Sequence, residues 1–224
     1  MKIANVIEYL KFIKQLSILK SIRFNYHYFG IRGCFNMYVM ISTKTILREL
    51  GGSINLPMNP YRGCVKIGFG VNEILDYKYE RTCFLNRGVI TFNGGGIYLA
   101  QGTRLFNFGN LTFGRNFTIT GNSKIICSTK ITIGDDCLAS WDVTIMDTDF
   151  HKIFNENGER INDEAPIVIG NNCWLCTNVT ILKHSTIRNG VVVGAGSIIT
   201  KDTIKENCVL KNNKVIRENI HWFK

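Results

Sequence analysis

An aliphatic side chain recurs at every sixth position over the last third of the chain. From Ile169 the frame continues through Leu175, Ile181, Ile187, Val193 and Ile199. The position four residues after each of these holds a small or β-branched residue. Because six is even, an extended backbone returns every frame residue to the same face, whereas a helix would scatter them around its circumference. The period predicts a parallel β-helix with three hexapeptides in each coil.

The same frame extends upstream with one displacement and one interruption. Ile133, Ala139 and Ile145 share its register, and a further aliphatic and aromatic set is offset by two residues, at positions 113, 119, 125 and 131. We interpret the offset as a two-residue insertion at one turn. Residues 147–165 lack the pattern and are strongly polar, so we predict a loop ejected from an intact prism, a common location for functional residues.

The two ends of the chain do not follow the hexapeptide frame. The first 20 residues place apolar side chains at helical spacing with lysines opposite, which predicts an amphipathic helix that either packs on the prism or rests on an anionic membrane. We therefore divide the chain into an N-terminal helix and irregular segment (1–60), a β-helix (61–204) and a C-terminal cap (205–224) that forms a strand or short helix.

Composition and charge narrow the classes of partner. Lys and Arg total 27 against 17 Asp and Glu, a net charge of +10. The basic residues are dispersed without helix-turn-helix or zinc-finger spacing, so we expect an acidic or phosphorylated small ligand and no nucleic acid. Charged residues interrupt the apolar N-terminus, and the eight cysteines show no disulfide framework, which together favour a cytoplasmic protein.

The ejected loop holds the main candidate for chemistry. His151 follows Asp147 and Asp149, and a histidine beside carboxylates can be held in one tautomer as a general base, although a surface histidine would have the same neighbours. Cys173 and Cys176 form a CxxC pair, but no second pair accompanies it as a zinc site requires, so we expect them to pack in the prism. His184 is expected to be solvated. Trp174 faces outward, where it would stack on a ligand or pack against another subunit.

Together these motifs resemble a known family. The hexapeptide frame, the histidine loop, and the segments IGNNCWLCTNVTIL (169–182) and VVGAGSIITKD (192–202) resemble the left-handed β-helix acyltransferases. Within that group, residues 131–154 are most similar to the sugar and polysaccharide O-acetyltransferases. The resemblance covers about residues 105–204. It implies an all-β fold, a left-handed parallel β-helix, that assembles as a homotrimer with active sites between neighbouring prisms, uses acetyl-CoA as donor and needs no metal.

The resemblance also implies roles for individual residues. His151 matches the catalytic histidine, and Trp174 matches an aromatic residue in the wall of the active site. The positions that match contacts to CoA or its phosphates are Thr177, Ala195, Thr200, Lys201, Lys214 and Arg217. Two departures stand out. Cys176 occupies a position that is usually small, and Lys211-Asn212-Asn213-Lys214 replaces a Gly-x-Pro turn.

The resulting hypothesis is an O-acetyltransferase acting on a hydroxyl of a sugar or glycan precursor. His151 would be the general base, with Asp147 or Asp149 orienting its ring. N-acetylation of an amino sugar and a non-catalytic trimeric scaffold remain as alternatives. A metal-dependent hydratase of the carbonic anhydrase type would need three converging histidines, whereas the patterned region contains His151 and His184. The expected location is the cytoplasm, or the inner face of the membrane if the N-terminal helix contacts lipid.

Overall fold

Short parallel strands stack into a three-sided prism in the computed structural model, which describes residues 10–70, 76 and 78–224. Consecutive strands fall on three sheets in turn, so that β1 pairs with β4, β4 with β7 and β7 with β10. Each circuit of three strands is one coil. The predicted parallel β-helix is therefore confirmed.

The strands, numbered in chain order, form three sheets within the described residues. The first sheet contains β1 (Val39–Ile41), β4 (Val65–Ile67), β7 (Ile97–Leu99), β10 (Thr118–Ile119), β13 (Leu138–Ala139), β16 (Trp174–Leu175), β19 (Val192–Val193), β21 (Val209–Lys211) and β22 (Lys214–Arg217). The second sheet contains β2 (Thr45–Leu50), β5 (Thr82–Asn86), β8 (Arg104–Asn107), β11 (Lys124–Cys127), β14 (Thr144–Met146), β17 (Thr180–Leu182) and β20 (Ile198–Ile199). The third sheet contains β3 (Ser53–Asn55), β6 (Val89–Phe92), β9 (Asn110–Phe113), β12 (Lys130–Ile133), β15 (Ile167–Ile169) and β18 (Thr186–Ile187).

The hexapeptide frame forms the core of the prism. All six frame residues from Ile169 to Ile199 are buried, as are the small residues four positions after each. Upstream, Ile125 pairs with Ile145, 20 residues later, whereas Ile181 pairs with Ile199, 18 residues later. The two extra residues in the upstream coil lie at the turn between the second and third sheets, where Ser128 and Thr129 separate β11 from β12. The predicted two-residue insertion is thus confirmed for this coil, but it is not confined to one turn, because Leu105 and Phe113 have the same spacing in the preceding coil.

The N-terminal segment contains more regular structure than the sequence indicated. Of the predicted N-terminal amphipathic helix, residues 1–9 lie outside the described residues, and residues 10–15 are helical. Helix α1 (Ile18–Asn36) follows, with Ser17 as its N-cap and a kink at Gly30. Strands β1, β2 and β3 then form a first coil within residues 39–55, ahead of the boundary we predicted at residue 61. The pattern was missed because long connections separate the first coils.

The C-terminal segment folds back along the prism. Strands β21 and β22 form an antiparallel hairpin, and the following tail runs along the corner that precedes the first sheet. There Ile220 N donates to Asn207 O (2.9 Å), Trp222 Nε1 donates to Asn172 O (2.7 Å), and Lys224 Nζ bonds to Asn116 O. The tail therefore crosses several coils.

Candidate functional site

The loop 147–165 leaves the prism at the corner between the second and third sheets. It connects β14 to β15, and the pairing of Ile145 with Ile181 and of Ile133 with Ile169 keeps the coils in register on either side. The two-residue insertions of the earlier coils occupy this same corner. The loop is thus an enlargement of a turn that the prism already tolerates.

The root of the loop is fixed by a buried carboxylate. Asp147 accepts hydrogen bonds from the backbone N–H groups of Ser128 (2.6 Å), Thr129 (2.9 Å) and Lys130 (2.7 Å), all at the corner of the preceding coil. Next to it, the buried Thr148 donates to Glu164 Oε1 (2.8 Å), which joins the two ends of the loop. The loop therefore starts from a rigid base.

A second set of contacts holds the segment that carries His151. Asp149 Oδ2 accepts from Lys183 Nζ (2.6 Å) and Asn162 Nδ2 (2.9 Å), and the Asn162 amide also donates to His151 O (2.8 Å). The ammonium group of Lys183 holds the pKa of Asp149 below its usual range, and the Asn162 hydrogen bond adds to this. Phe150 has a φ of 60°, uncommon for a bulky residue, in the tight turn that presents His151. We call Asp149, Asn162 and Lys183 the loop clamp.

The two predicted orienting carboxylates are not hydrogen-bonded to the His151 ring. The oxygens of Asp147 are occupied by backbone amides, and Asp149 is held by the loop clamp, while its own carbonyl accepts from His151 N (2.7 Å). Among the described residues no side chain is hydrogen-bonded to the imidazole, which is exposed. Within the chain both carboxylates hold the loop, so the role of Asp147 or Asp149 in orienting the ring stays a prediction.

Two of the predicted CoA-contacting residues lie at the corner between the first and second sheets. Gly196 N donates to Thr177 O (2.9 Å), so that Thr177 and Ala195 belong to adjacent coils. The Thr177 hydroxyl donates to Trp141 O (3.1 Å), and Ala195 O accepts from Lys211 Nζ (2.5 Å). These contacts align the corner residues along the prism axis.

The remaining predicted CoA contacts lie around the last coil. Thr200 and Lys201 follow β20 at the corner from which the histidine loop leaves, and both are exposed. Lys214 and Arg217 are exposed on β22. Lys201, Lys214 and Arg217 form no ion pair within the described residues, so three cations are available to an anionic ligand at this end of the prism.

The turn of the C-terminal hairpin explains one departure from the expected motif. Asn212 adopts a φ of 54°, a left-handed conformation that asparagine tolerates, and its side chain accepts from Ile198 N (3.1 Å). Asn213 bonds to both the N–H and the hydroxyl of Thr200 (3.0 Å each). The two asparagines thus attach the hairpin to β20. Sequence analysis did not predict these contacts, because the asparagines that form them stand in place of the expected Gly-x-Pro turn.

Trp174 lies apart from His151, on the outward side of the first sheet. Its indole N–H donates to Ser140 Oγ (3.0 Å), and its ring centroid is 5.7 Å from that of Trp222 in the C-terminal tail. Packing against its own chain is therefore part of its role. The predicted site residues therefore do not line one enclosed pocket. They lie mainly at two corners of the prism, with Trp174 apart from them in an aromatic pair.

The cysteine pair belongs to the core. Cys173 is buried and donates to Arg188 O (3.1 Å), while Cys176 is half-buried, and burial raises the pKa of the Cys176 thiol. Within the described residues no three His, Cys, Asp or Glu side chains converge as a metal site requires. His184 is exposed in a turn with a φ of 64°.

Comparison with known proteins finds a family model and several relatives that match this chain. The family described as "Bacterial transferase hexapeptide (six repeats)" matches residues 166–201. Galactoside O-acetyltransferase of Escherichia coli K12 is 41% identical over 50% of this chain and 57% of its own length. Polysialic acid O-acetyltransferase of Neisseria meningitidis is 48% identical over 30% of this chain and 32% of its own length. The chain therefore spans less than two thirds of these two relatives. The Escherichia coli K12 protein named "Putative lipopolysaccharide biosynthesis O-acetyl transferase WbbJ" is 32% identical over 62% of this chain and 77% of its own length.

Proposed function

Because the chain belongs to the bacterial transferase hexapeptide family, we propose that it transfers an acetyl group from acetyl-CoA to a hydroxyl of a sugar or glycan precursor. The observation that carries the proposal is His151, exposed on a loop that a buried carboxylate and the loop clamp fix to a rigid prism. The names of the relatives support the acetyl group and the sugar acceptor.

In the proposed reaction the neutral imidazole of His151 takes the proton of the acceptor hydroxyl as its oxygen attacks the thioester carbonyl. The tetrahedral intermediate then expels the thiolate of CoA, and the imidazolium returns the proton to that sulfur. The products are an acetyl ester and free CoA. A positioned base contributes ~10² to 10⁴ in rate because a sugar hydroxyl is a weak nucleophile at neutral pH.

The donor would lie along the corners that flank the second sheet. Lys201, Lys214 and Arg217 supply unpaired positive charge for the phosphates of CoA, while Thr177 and Ala195 border the opposite corner. Charge-assisted hydrogen bonds from lysine and arginine are the usual means of holding such phosphates. When bound, CoA supplies the activated acetyl thioester.

The outward side of the second sheet supports the proposed homotrimer. Five apolar side chains are registered neighbours there and form one column along the prism: Leu85, Phe106, Ile126, Met146 and Leu182. This outer column runs beside the root of the histidine loop. A second copy packed on it would cover apolar surface and close a cleft next to His151, where the ring would find the orienting group that its own chain does not provide.

We also propose that the enzyme works in the cytoplasm. Acetyl-CoA is a cytoplasmic metabolite, and all eight cysteines are free thiols, as expected in a reducing compartment.

The test combines donor binding with turnover. Calorimetric titration of CoA into the chain should give micromolar binding near one site per chain, and mass spectrometry should detect an acceptor that gains one acetyl group. His151→Asn should lower turnover ~10²- to 10⁴-fold with unchanged CoA affinity. His184→Asn is the matched control, because this exposed histidine lies in another turn. Near-normal turnover of His151→Asn would exclude the mechanism, and no CoA binding would favour the scaffold alternative.

A further inference from the structure

One side of helix α1 is fixed firmly to the end of the prism. Phe24 is buried, with its ring centroid 5.3 Å from that of Phe84. Asn25 donates to Val39 O (2.6 Å) and accepts from Val39 N (3.1 Å), and so it extends the hydrogen bonding of the first coil. The helix is therefore a rigid cap, and its other side faces away from the prism.

The outward side of α1 is apolar. Ile18, Ile22 and Tyr26 follow one another at four-residue spacing, and Leu19 lies beside them. Leu19 is 81% exposed and Tyr26 is 60% exposed. Large exposed apolar residues also precede the helix and follow its kink: Leu10, Ile13, Ile31 and Phe35. We call these eight residues the apolar end. Apolar patches of this kind on a soluble protein mark interaction surfaces.

The charged residues between Glu8 and Glu49 in the sequence all have one sign. Residues 10–48 contain no Asp or Glu and seven basic residues: Lys11, Lys14, Lys20, Arg23, Arg32, Lys44 and Arg48. Lys20 is bonded to the carbonyls of Thr43 and Thr45. Arg23 and Arg32 are exposed and form no ion pair within the described residues. The partner of this surface should therefore be negatively charged and able to receive apolar side chains.

We propose that the apolar end rests on the surface of an anionic lipid bilayer. Such a surface satisfies both requirements, because leucine, isoleucine and aromatic side chains enter the acyl boundary while arginines remain among anionic headgroups. A second copy of this chain would instead bring like charges together. No helix among the described residues is long and apolar enough to cross a membrane, so the contact is interfacial.

This placement sets the height of the histidine loop above the bilayer. The root of the loop follows β14, four strands after β2 in the second sheet. At ~4.8 Å per strand, that is roughly 19 Å from the first coil. If the proposed acetyl transfer holds, an acceptor carried on a membrane lipid would reach the site through a few sugar units.

The test is vesicle sedimentation of the full chain. The wild type should pellet with vesicles of equal parts phosphatidylglycerol and phosphatidylcholine, pellet poorly with phosphatidylcholine alone, and be released by salt. The double variant Leu19→Gln/Ile22→Gln should reduce partitioning of the protein to these vesicles at least tenfold. The double variant Arg23→Gln/Arg32→Gln should reduce it about fivefold for each lost cation. Glutamine is a good helix former, so thermal unfolding should be unchanged.

The control is Ile204→Gln, since Ile204 is 79% exposed, nearly the same as Leu19, and lies outside the apolar end. It should pellet like the wild type. Equal pelleting of Leu19→Gln/Ile22→Gln and the wild type would overturn the proposal, as would no pelleting of the wild type. A smaller oligomer of that double variant in sedimentation velocity would assign the surface to a second copy instead. None of these readouts depends on acetyl transfer.

Discussion

The Asp147→Asn variant tests whether the Asp147 carboxylate anchors the loop or acts in catalysis. Asp147 is fully buried and accepts three backbone N–H groups, from Ser128, Thr129 and Lys130. An amide at this position keeps one carbonyl oxygen, which can continue to accept from Thr129 and Lys130. Its NH₂ group then faces the N–H of Ser128, and two donors oppose each other.

The magnitude follows from that geometry. A hydrogen bond to a charged acceptor contributes ~1.5–3 kcal/mol, and leaving a buried donor unpaired adds to the loss. We therefore expect the loop root to lose about 2–4 kcal/mol in Asp147→Asn. Since each 1.36 kcal/mol is a factor of ten, local opening of the loop should increase roughly 30- to 900-fold.

Hydrogen exchange read by mass spectrometry measures this opening directly. Peptides from residues 148–164 should exchange faster in Asp147→Asn, while peptides from β15 to β18 should be unchanged. Asp163→Asn is the control, because the Asp163 side chain lies in the same loop but is 74% exposed. If Asp147→Asn abolished acetyl transfer and left loop exchange unchanged, the carboxylate would act on the His151 ring and the anchoring assignment would be refuted.

Three further predictions concern the core, the loop clamp and the thiols. Ile181→Ala, at a fully buried frame position, should destabilise the prism by about 2–5 kcal/mol in urea unfolding, and Ile181→Val by about 0.5–1.5 kcal/mol. Asp149→Asn should cost below about 1 kcal/mol, because its ion pair with Lys183 is partly exposed. Lys183 lowers the pKa of Asp149. The stabilisation from this ion pair is therefore complete above pH ~4 and is lost as the pH falls through the lowered pKa. Hydrogen exchange of the loop, compared at acidic and neutral pH, would measure this loss. Burial, and secondarily the charge of Asp147, raise the pKa of Cys127 to about 12, so iodoacetamide at pH 8 should modify Cys127 only after unfolding.

The prism was predictable because its period is local. Six residues define the repeat, and the buried frame from Ile169 to Ile199 follows directly from it. The first coil was not predictable in the same way. The connection from β1 to β4 contains β2 and β3, as in every coil, but also irregular chain that interrupts the period. Helix α1 was missed for another reason: it carries apolar side chains on both sides, so no single polar face marks it.

The residues that hold the histidine loop were hidden by distance along the chain. The spacing of Asp147, Asp149 and His151 indicates a catalytic set, because carboxylates next to a histidine often orient it. The three N–H groups that occupy Asp147 come from the preceding coil, and Lys183 comes from the following one. A sequence period reports which side chains face inward, but it does not report which backbone donors meet a carboxylate at a corner.

The arrangement of the candidate site within one chain bears on how the proposed acetyl transfer would proceed. The loop that carries His151 leaves one corner of the prism, and Thr177 and Ala195 line another. The outer column lies between these two corners on the second sheet. The imidazole has no hydrogen-bond partner among the described residues of its own chain, and Lys201, Lys214 and Arg217 form no ion pair there. In the proposed reaction, a single prism would therefore present the base and the phosphate-binding cations without a wall that excludes water between them. Packing a second copy on the outer column would supply that wall, and for this reason we regard assembly as a condition of catalysis rather than as a consequence of the fold.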